Sequence, residues 1–224
     1  MRSLVHLLQL ASPALPIGAY SYSQGLEWAV ESGIVRDAAS AQRWIADLMT
    51  HVHARGEAAV AWRVCKAAHQ GEWDRFAHWH AWFRASRETA ELAAETQQMG
   101  MALVRLLRDL EVLDADAHIA IGANAPMTLP GAFALAARAF AIEPQDAVTA
   151  YLWSWAENQA LAAMKTIPLG QVAGQKMLLA LGARIGDAVA MARTCADDDV
   201  ASFAPGLALA SSRHETQYTR LFRS

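Results

Sequence analysis

The sequence is short of charge. Asp, Glu, Lys and Arg supply only 18% of its 224 residues, below the roughly one quarter usual for soluble proteins. Lysine is scarcer still: Lys66, Lys165 and Lys176 are the only three. There is no Lys/Arg-rich run and the formal net charge is −3. A protein that tracks nucleic-acid phosphates needs a basic stripe, so that class is excluded. Two cysteines, Cys65 and Cys195, lie far apart without a CxxC spacing. They provide no disulfide framework and fit a reducing cytosol. Long alternations of apolar and polar residues are missing, and β-branched runs are scarce, which argues against sheet.

Uninterrupted apolar runs are also lacking. Leu4 to Leu26 carries no full charge, but His6, Gln9, Ser12, Pro13 and Pro16 break it, so it reads poorly as a secretory leader. Ala117 to Ala137 is likewise uncharged. Gly122, Asn124, Pro126, Pro130 and Gly131 interrupt it, whereas a membrane span needs about 20 mostly apolar residues. A cytoplasmic chain without membrane attachment is expected.

What the sequence does contain is alanine, leucine and helical periodicity. Apolar residues make up 54%, enough for a substantial core, with an excess that suits burial in a partner interface. The pattern predicts an all-α chain of about eight to ten helices in one domain, with no linker or internal repeat. A short apolar helix over 3–10 ends before Ser12-Pro13. A loop follows over 11–22. Ser21 or Ser23 is expected to cap a helix that stops at Gly33. Asp37 or Ser40 starts the next, interrupted near Arg55-Gly56. An aromatic helix covers 72–85. The clearest helix runs from about 87 to 110, with Leu92, Thr96, Met99, Leu103, Leu106 and Leu110 in one stripe. Glu91, Glu95, Gln98, Arg105 and Asp109 are expected on a solvated face, with Arg84–Glu88, Arg87–Glu91 and Arg105–Asp109 as possible ion pairs. Helices over about 113–124, 129–141, 144–166 and 169–194 follow. In the last of these, Gly174, Gly182 and Gly186 suggest close helix approach. After the acidic loop Asp197–Asp199, a final helix is expected from Pro205 to about Thr219.

Signatures of catalysis are not found. GxxxxGK[ST], GxSxG and HExxH are all absent from the sequence. His51-Val52-His53 and His78-Trp79-His80 offer imidazoles at i and i+2, which a helix points about 200° apart. Chelation on a helix wants i,i+3 or i,i+4. Trp73, Phe76, Trp79, Trp82 and Phe83 read most simply as a packing stripe, with a partner hot spot as the alternative. Glu91 and Glu95 suit acid/base work in principle, but beside arginines they read as a solvated face.

Two segments resist such treatment. One is the 12–23 stretch SPALPIGAYSYS, stiffened by two prolines, turned at Gly18 and bearing Tyr20 and Tyr22. A stiff aromatic loop loses little entropy on binding, although it could equally pack on its own core. The other is the end of the chain, SRHETQYTRLFRS over 212–224. Chain ends usually fray into small polar residues. This one carries Tyr218, Leu221, Phe222 and three arginines, so it is expected to dock on its own core or on another protein.

These two segments, with ASRETAELAAETQQMG (85–100) and ENQALAAMKTIPLGQVAGQ (157–175), resemble the urease accessory protein F family. The first match extends through SPALPIGAYSYSQGLEWAVESG (12–33), and the four stretches span nearly the whole chain in order. Ala19 stands where the family often has glycine. The resemblance implies an all-helical homodimer that is not an enzyme and holds no cofactor of its own. It implies assembly with accessory protein D (also called H) and then with the GTPase accessory protein G, acting on apo-urease. Nickel is handled by that assembly. It further implies that loop and tail recruit the GTPase, which places Tyr20, Glu27, His214, Glu215, Tyr218 and Arg220 in partner binding. Tyr20 and Arg220 are expected to pair, by stacking or a hydrogen bond. Lys165, Gln171 and Gln175, flanking Pro168, form a second set that faces the GTPase or a nickel path, or merely caps helices and solvates a turn. Arg220 and Arg223 are available as a finger on the GTPase. The rival class is a stand-alone metal-binding protein or enzyme using His51, His53, His78, His80 and Glu91.

Overall fold

A computed structural model describes residues 2–201 and 204–224. Among the described residues there is no strand, and the chain forms eleven α-helices, slightly more than the eight to ten expected. They are α1 (Arg2–Ala11), α2 (Leu26–Glu31), α3 (Ala38–Leu48), α4 (Glu57–Gln70), α5 (Trp73–Ala85) and α6 (Ala90–Asp109). Then come α7 (Ala115–Ala123), α8 (Leu129–Ala139), α9 (Pro144–Thr166), α10 (Gln171–Thr194) and α11 (Pro205–His214). No helix is long and apolar enough to cross a membrane, among the described residues.

Local chemistry explains most boundaries. Asp37 caps α3 and exchanges a reciprocal capping box with Ser40, which satisfies two otherwise orphaned donors. Thr89 caps α6 through Leu92 N–H, and Asp114 caps α7 through Ala117 N–H. Pro144 occupies the first turn of α9, where its missing N–H costs nothing. Between α3 and α4 the helix loosens into one π-turn over Met49–His53.

The centre is built on α4 and α9. Helix α4 packs against α5, α8, α9 and α10, and α9 packs against α1, α2, α3 and α10. Alanines on α4 and α8 bring these two close: Ala58, Ala61, Ala132 and Ala136 are all buried. The aromatic stripe behaves as packing. Phe76, Trp79 and Phe83 are buried and Trp73 and Trp82 half-buried. Close approach also fixes α6, where a Cβ on Gly100 would lie 2.3 Å from the Met127 carbonyl oxygen. Of the three α10 glycines, Gly174 abuts Met164, Gly182 makes ordinary contact at most, and Gly186 faces open space.

Two expected elements end differently. Helix α2 begins at Leu26, not at Ser21 or Ser23, because Gly25 enters the left-handed region (φ 76°) and caps it. A side chain at Gly25 would also meet Ala210 of α11 at 2.9 Å. Helix α11 stops at His214, five residues early. Beyond it the chain turns back onto α2 and α6, which changes the direction in which every tail side chain points.

Candidate docking site at the two ends of the chain

The 19–27 segment is held from below. Tyr22 is buried, and its hydroxyl donates to Gln98 Oε1 at 2.7 Å. Burial raises its pKa. Asn158 of α9 donates to the Tyr22 carbonyl at 2.9 Å. Gln24 accepts from Trp155 Nε1 at 2.7 Å and donates to Glu95 at 2.8 Å. A loop fixed by this many partners presents Tyr20 (64% exposed) on a rigid base.

The tail closes over this base. The Ser23 N–H and hydroxyl both donate to the Ser224 carbonyl oxygen, at 2.6 and 2.5 Å. Arg223 N–H donates to the Ser21 carbonyl at 2.7 Å. Phe222 and Ser224 are buried, whereas Leu221 (69%) and Tyr218 (103%) stand in solvent. Loop and tail therefore form one continuous surface, as the two unusual segments suggested.

Three carboxylates beneath the tail receive its donors. Glu27 on α2 accepts from Leu221 N–H at 2.7 Å, Phe222 N–H at 3.0 Å and His214 Nε2 at 3.1 Å. Glu91 on α6 accepts from Arg220 Nη1 at 2.7 Å and pairs with His214 Nδ1 at 2.8 Å. Glu95 accepts from Ser224 Oγ at 2.8 Å, in addition to Gln24. Glu215 returns the favour, since its carboxylate accepts from Glu91 N–H at 3.3 Å. That is one of the unpaired donors at the start of α6, where negative charge is favoured.

This corrects the expectation that Glu91 and Glu95 lie on a solvated face. Glu95 is 4% exposed. Desolvation pushes its carboxyl up to about 7, although the Gln24 and Ser224 hydrogen bonds pull the other way. The expected Arg87–Glu91 pair is absent too. Arg87 instead reaches Glu57 at 3.3 Å and lies over the Phe83 ring. Neither Arg84–Glu88 nor Arg105–Asp109 forms an ion pair among the described residues. The expected Tyr20–Arg220 pair is not made either. Because α11 ends early, the Arg220 guanidinium lands on Glu91, and the cation over Tyr20 is Lys165, 5.9 Å from the ring centroid.

Lys165 also sits 5.5 Å from the Phe222 ring, so it bridges loop and tail. Gln171 and Gln175 are exposed on the first turns of α10 and make no hydrogen bond to the tail among the described residues. Arg223 is exposed, and its side chain reaches Gln98 at 3.4 Å and the Tyr22 hydroxyl. The sequence reading did not single out Gln24 and Gln98 for this site, and it gave Ser23 the role of a helix cap. A signal existed: Arg87, Glu91, Glu95 and Gln98 repeat at 4, 4 and 3, a second stripe beside the apolar one.

The histidine pairs split as their spacing requires. His51 and His78 are exposed, His53 and His80 buried. His80 bonds Thr128 and the Asn124 carbonyl, both at 3.0 Å. His53 lies 3.8 Å from Glu57 and against Trp155, and burial lowers its pKa to about 4. No group of three or more His, Cys, Asp or Glu side chains is placed to hold a metal, among the described residues.

Residues 35–182 match the UreF family model. The chain belongs to the UreF family. It is 54% identical over 223 residues to the urease accessory protein UreF of Dechloromonas aromatica, covering 99% of this chain and 97% of that one. The urease accessory protein UreF of Methylobacillus flagellatus is 49% identical, covering 100% and 98%. That of an Azoarcus species is 51% identical, covering 99% and 95%. The family model spans α3 through the first half of α10, whereas α1, α2, α11, the loop and the tail lie outside it. The full-length relatives extend the match across the chain.

Proposed function

We propose that this UreF-family chain is a scaffold in urease maturation. It joins accessory protein D/H, recruits the GTPase accessory protein G, and regulates it while nickel enters apo-urease. The observation that carries the reading is the union of loop and tail into one rigid surface. That surface holds Tyr20, Lys165, Tyr218 and Leu221 outward while Glu27 and Glu91 grip it from inside. Exposed aromatic and aliphatic groups on a pre-organised base are what partner anchors require. In this reading the chain works as a cytoplasmic homodimer, it performs no catalysis itself, and nickel belongs to the assembly as cargo.

Glu27, His214, Glu215 and Arg220 then shape the surface, while Tyr20, Lys165, Tyr218 and Arg223 touch the partner. Gln171 and Gln175 extend it along α10. Co-purification with accessory proteins D and G on a sizing column tests this. Tyr20→Ala and Lys165→Ala should keep the fold and D/H binding but weaken capture of G. A GTPase rate in the assembled complex unchanged by Lys165→Ala would remove that residue from the contact.

A further inference from the structure

Beneath the loop, between α4, α6, α8 and α9, lies a cavity of about 60 Å³. One water centre needs about 10–15 Å³, so the space suits a group of a few heavy atoms. Glu57 of α4 and Glu95 of α6 both line it, at 8% and 4% exposure. The two carboxylates are not matched by two cations. Arg87 pairs with Glu57 at 3.3 Å, but among the described residues no Lys, Arg or His side chain comes within ion-pair distance of Glu95. Burying a carboxylate without a cation of its own is costly. Desolvation accordingly pushes the Glu95 carboxyl up to about 7.

The nearby donors are already committed. Tyr151 gives its hydroxyl proton to Glu57, and Trp155 Nε1 donates to Gln24. Gln24 and Ser224 each donate to Glu95. Every carboxylate oxygen has two acceptor sites, so the cavity presents a surplus of acceptors and one uncompensated negative charge. Its remaining wall is aromatic and soft, with Phe133, Trp155 and Met99. Aromatic faces attract cations. No group of three His, Cys, Asp or Glu side chains is placed to hold a metal, among the described residues, so the lining does not fit a bare metal ion. Ala19, Ser154 and Asn158 also border a second hollow, which reaches exposed Tyr20 and half-buried Glu157. Burial raises the Glu157 carboxyl, and it has no ion pair among the described residues, so the approach is negative as well.

We propose that this cavity is a binding site for a small organic monocation with N–H donors, an alkylammonium or guanidinium group. Its N–H groups fill the free acceptor sites of Glu95 and Glu57, and its carbon part lies against Phe133 and Trp155. The bound cation supplies the positive charge that the cavity lacks. Such a site needs no accessory partner, so it stands or falls separately from the maturation role.

The test is a titration of the full ¹⁵N-labelled chain with ethylammonium chloride at about pH 8, above the raised value of Glu95. It follows the Trp155 indole N–H, which borders the cavity. That signal should shift saturably with ethylammonium. It should not do so with sodium chloride at equal ionic strength, or with tetramethylammonium, which has no N–H. Glu95→Gln should weaken binding about tenfold or more, the loss of one charged hydrogen-bond partner. Ala19→Leu, which narrows the cavity from the loop side, should abolish the shift, and circular dichroism should show parental helix content. No saturable shift in the parent chain would overturn the site. So would an equal shift with sodium or tetramethylammonium, or undiminished binding by folded Glu95→Gln and Ala19→Leu.

Discussion

The two halves of the interior are built on opposite principles. Around α4, α5 and α8 the core is alanine and aromatic: Phe76, Phe83, Ala58 and Ala132 are all at 0% exposure. Beneath the tail, between α2, α6 and α9, the interior holds Glu27, Glu95, Gln24 and Ser23 at 9% exposure or less. The first half gains free energy by removing apolar surface from water. The second burdens the fold with desolvated carboxylates and offsets them with hydrogen bonds. Such a polar seat is weak evidence for stability. It makes sense as a fixture that holds one segment in one arrangement, and the segment it holds is the tail.

That contrast can be broken by mutation. Phe83→Ala should cost about 3–5 kcal/mol across the whole molecule, since a buried aromatic leaves a cavity that helices cannot close. Urea unfolding would show it as a lower midpoint at unchanged slope. Glu27→Ala should have a smaller and more local effect of about 2–3 kcal/mol. It leaves two backbone N–H donors and His214 without their acceptor. The expected sign is loss of amide protection at Leu221 and Phe222 with the α4 amides unchanged. A drop of equal size in both halves would mean that the seat is part of the core.

Glu95 gives the pH dependence. Its folded value of about 7 lies above the ordinary 4.5. Its stabilising protonation is therefore complete below the lower value and lost as pH rises through the upper one. Glu95→Gln should remove that slope, making the variant on the order of 1–2 kcal/mol more stable than the parent near pH 8 and equal to it near pH 4. Denaturant midpoints across that range would check it. The smallest effect on folding belongs to Tyr218→Ala. At 103% exposure it should shift stability by less than about 0.5 kcal/mol while weakening assembly with the accessory partners.

The apolar half was legible from the sequence and the polar half was not, for a physical reason. Apolar periodicity reports burial directly, so α5, the buried part of the α6 stripe and the α9 stripe of Val148, Leu152 and Trp155 were placed correctly. A buried carboxylate looks the same in sequence as a solvated one. Only its partners distinguish them, and those of Glu95 lie 71 and 129 residues away. The tail was recognised as unusual by its composition. Its path was not, because α11 ends at His214 where helical spacing would have carried it to Thr219. The expected pairing of Arg220 with Tyr20 rested on the family resemblance and on side-chain chemistry, neither of which shows that the turned-back tail brings Arg220 to Glu91.

The central claim is that the polar seat exists to present the tail and loop to partners. The direct test is the chain truncated after residue 212, mixed with accessory proteins D and G on a sizing column. The account predicts near-parental helix content by circular dichroism, because only the last two residues of α11 are removed, together with failure to capture G. A truncated chain that assembles the full complex as the parent does would contradict it.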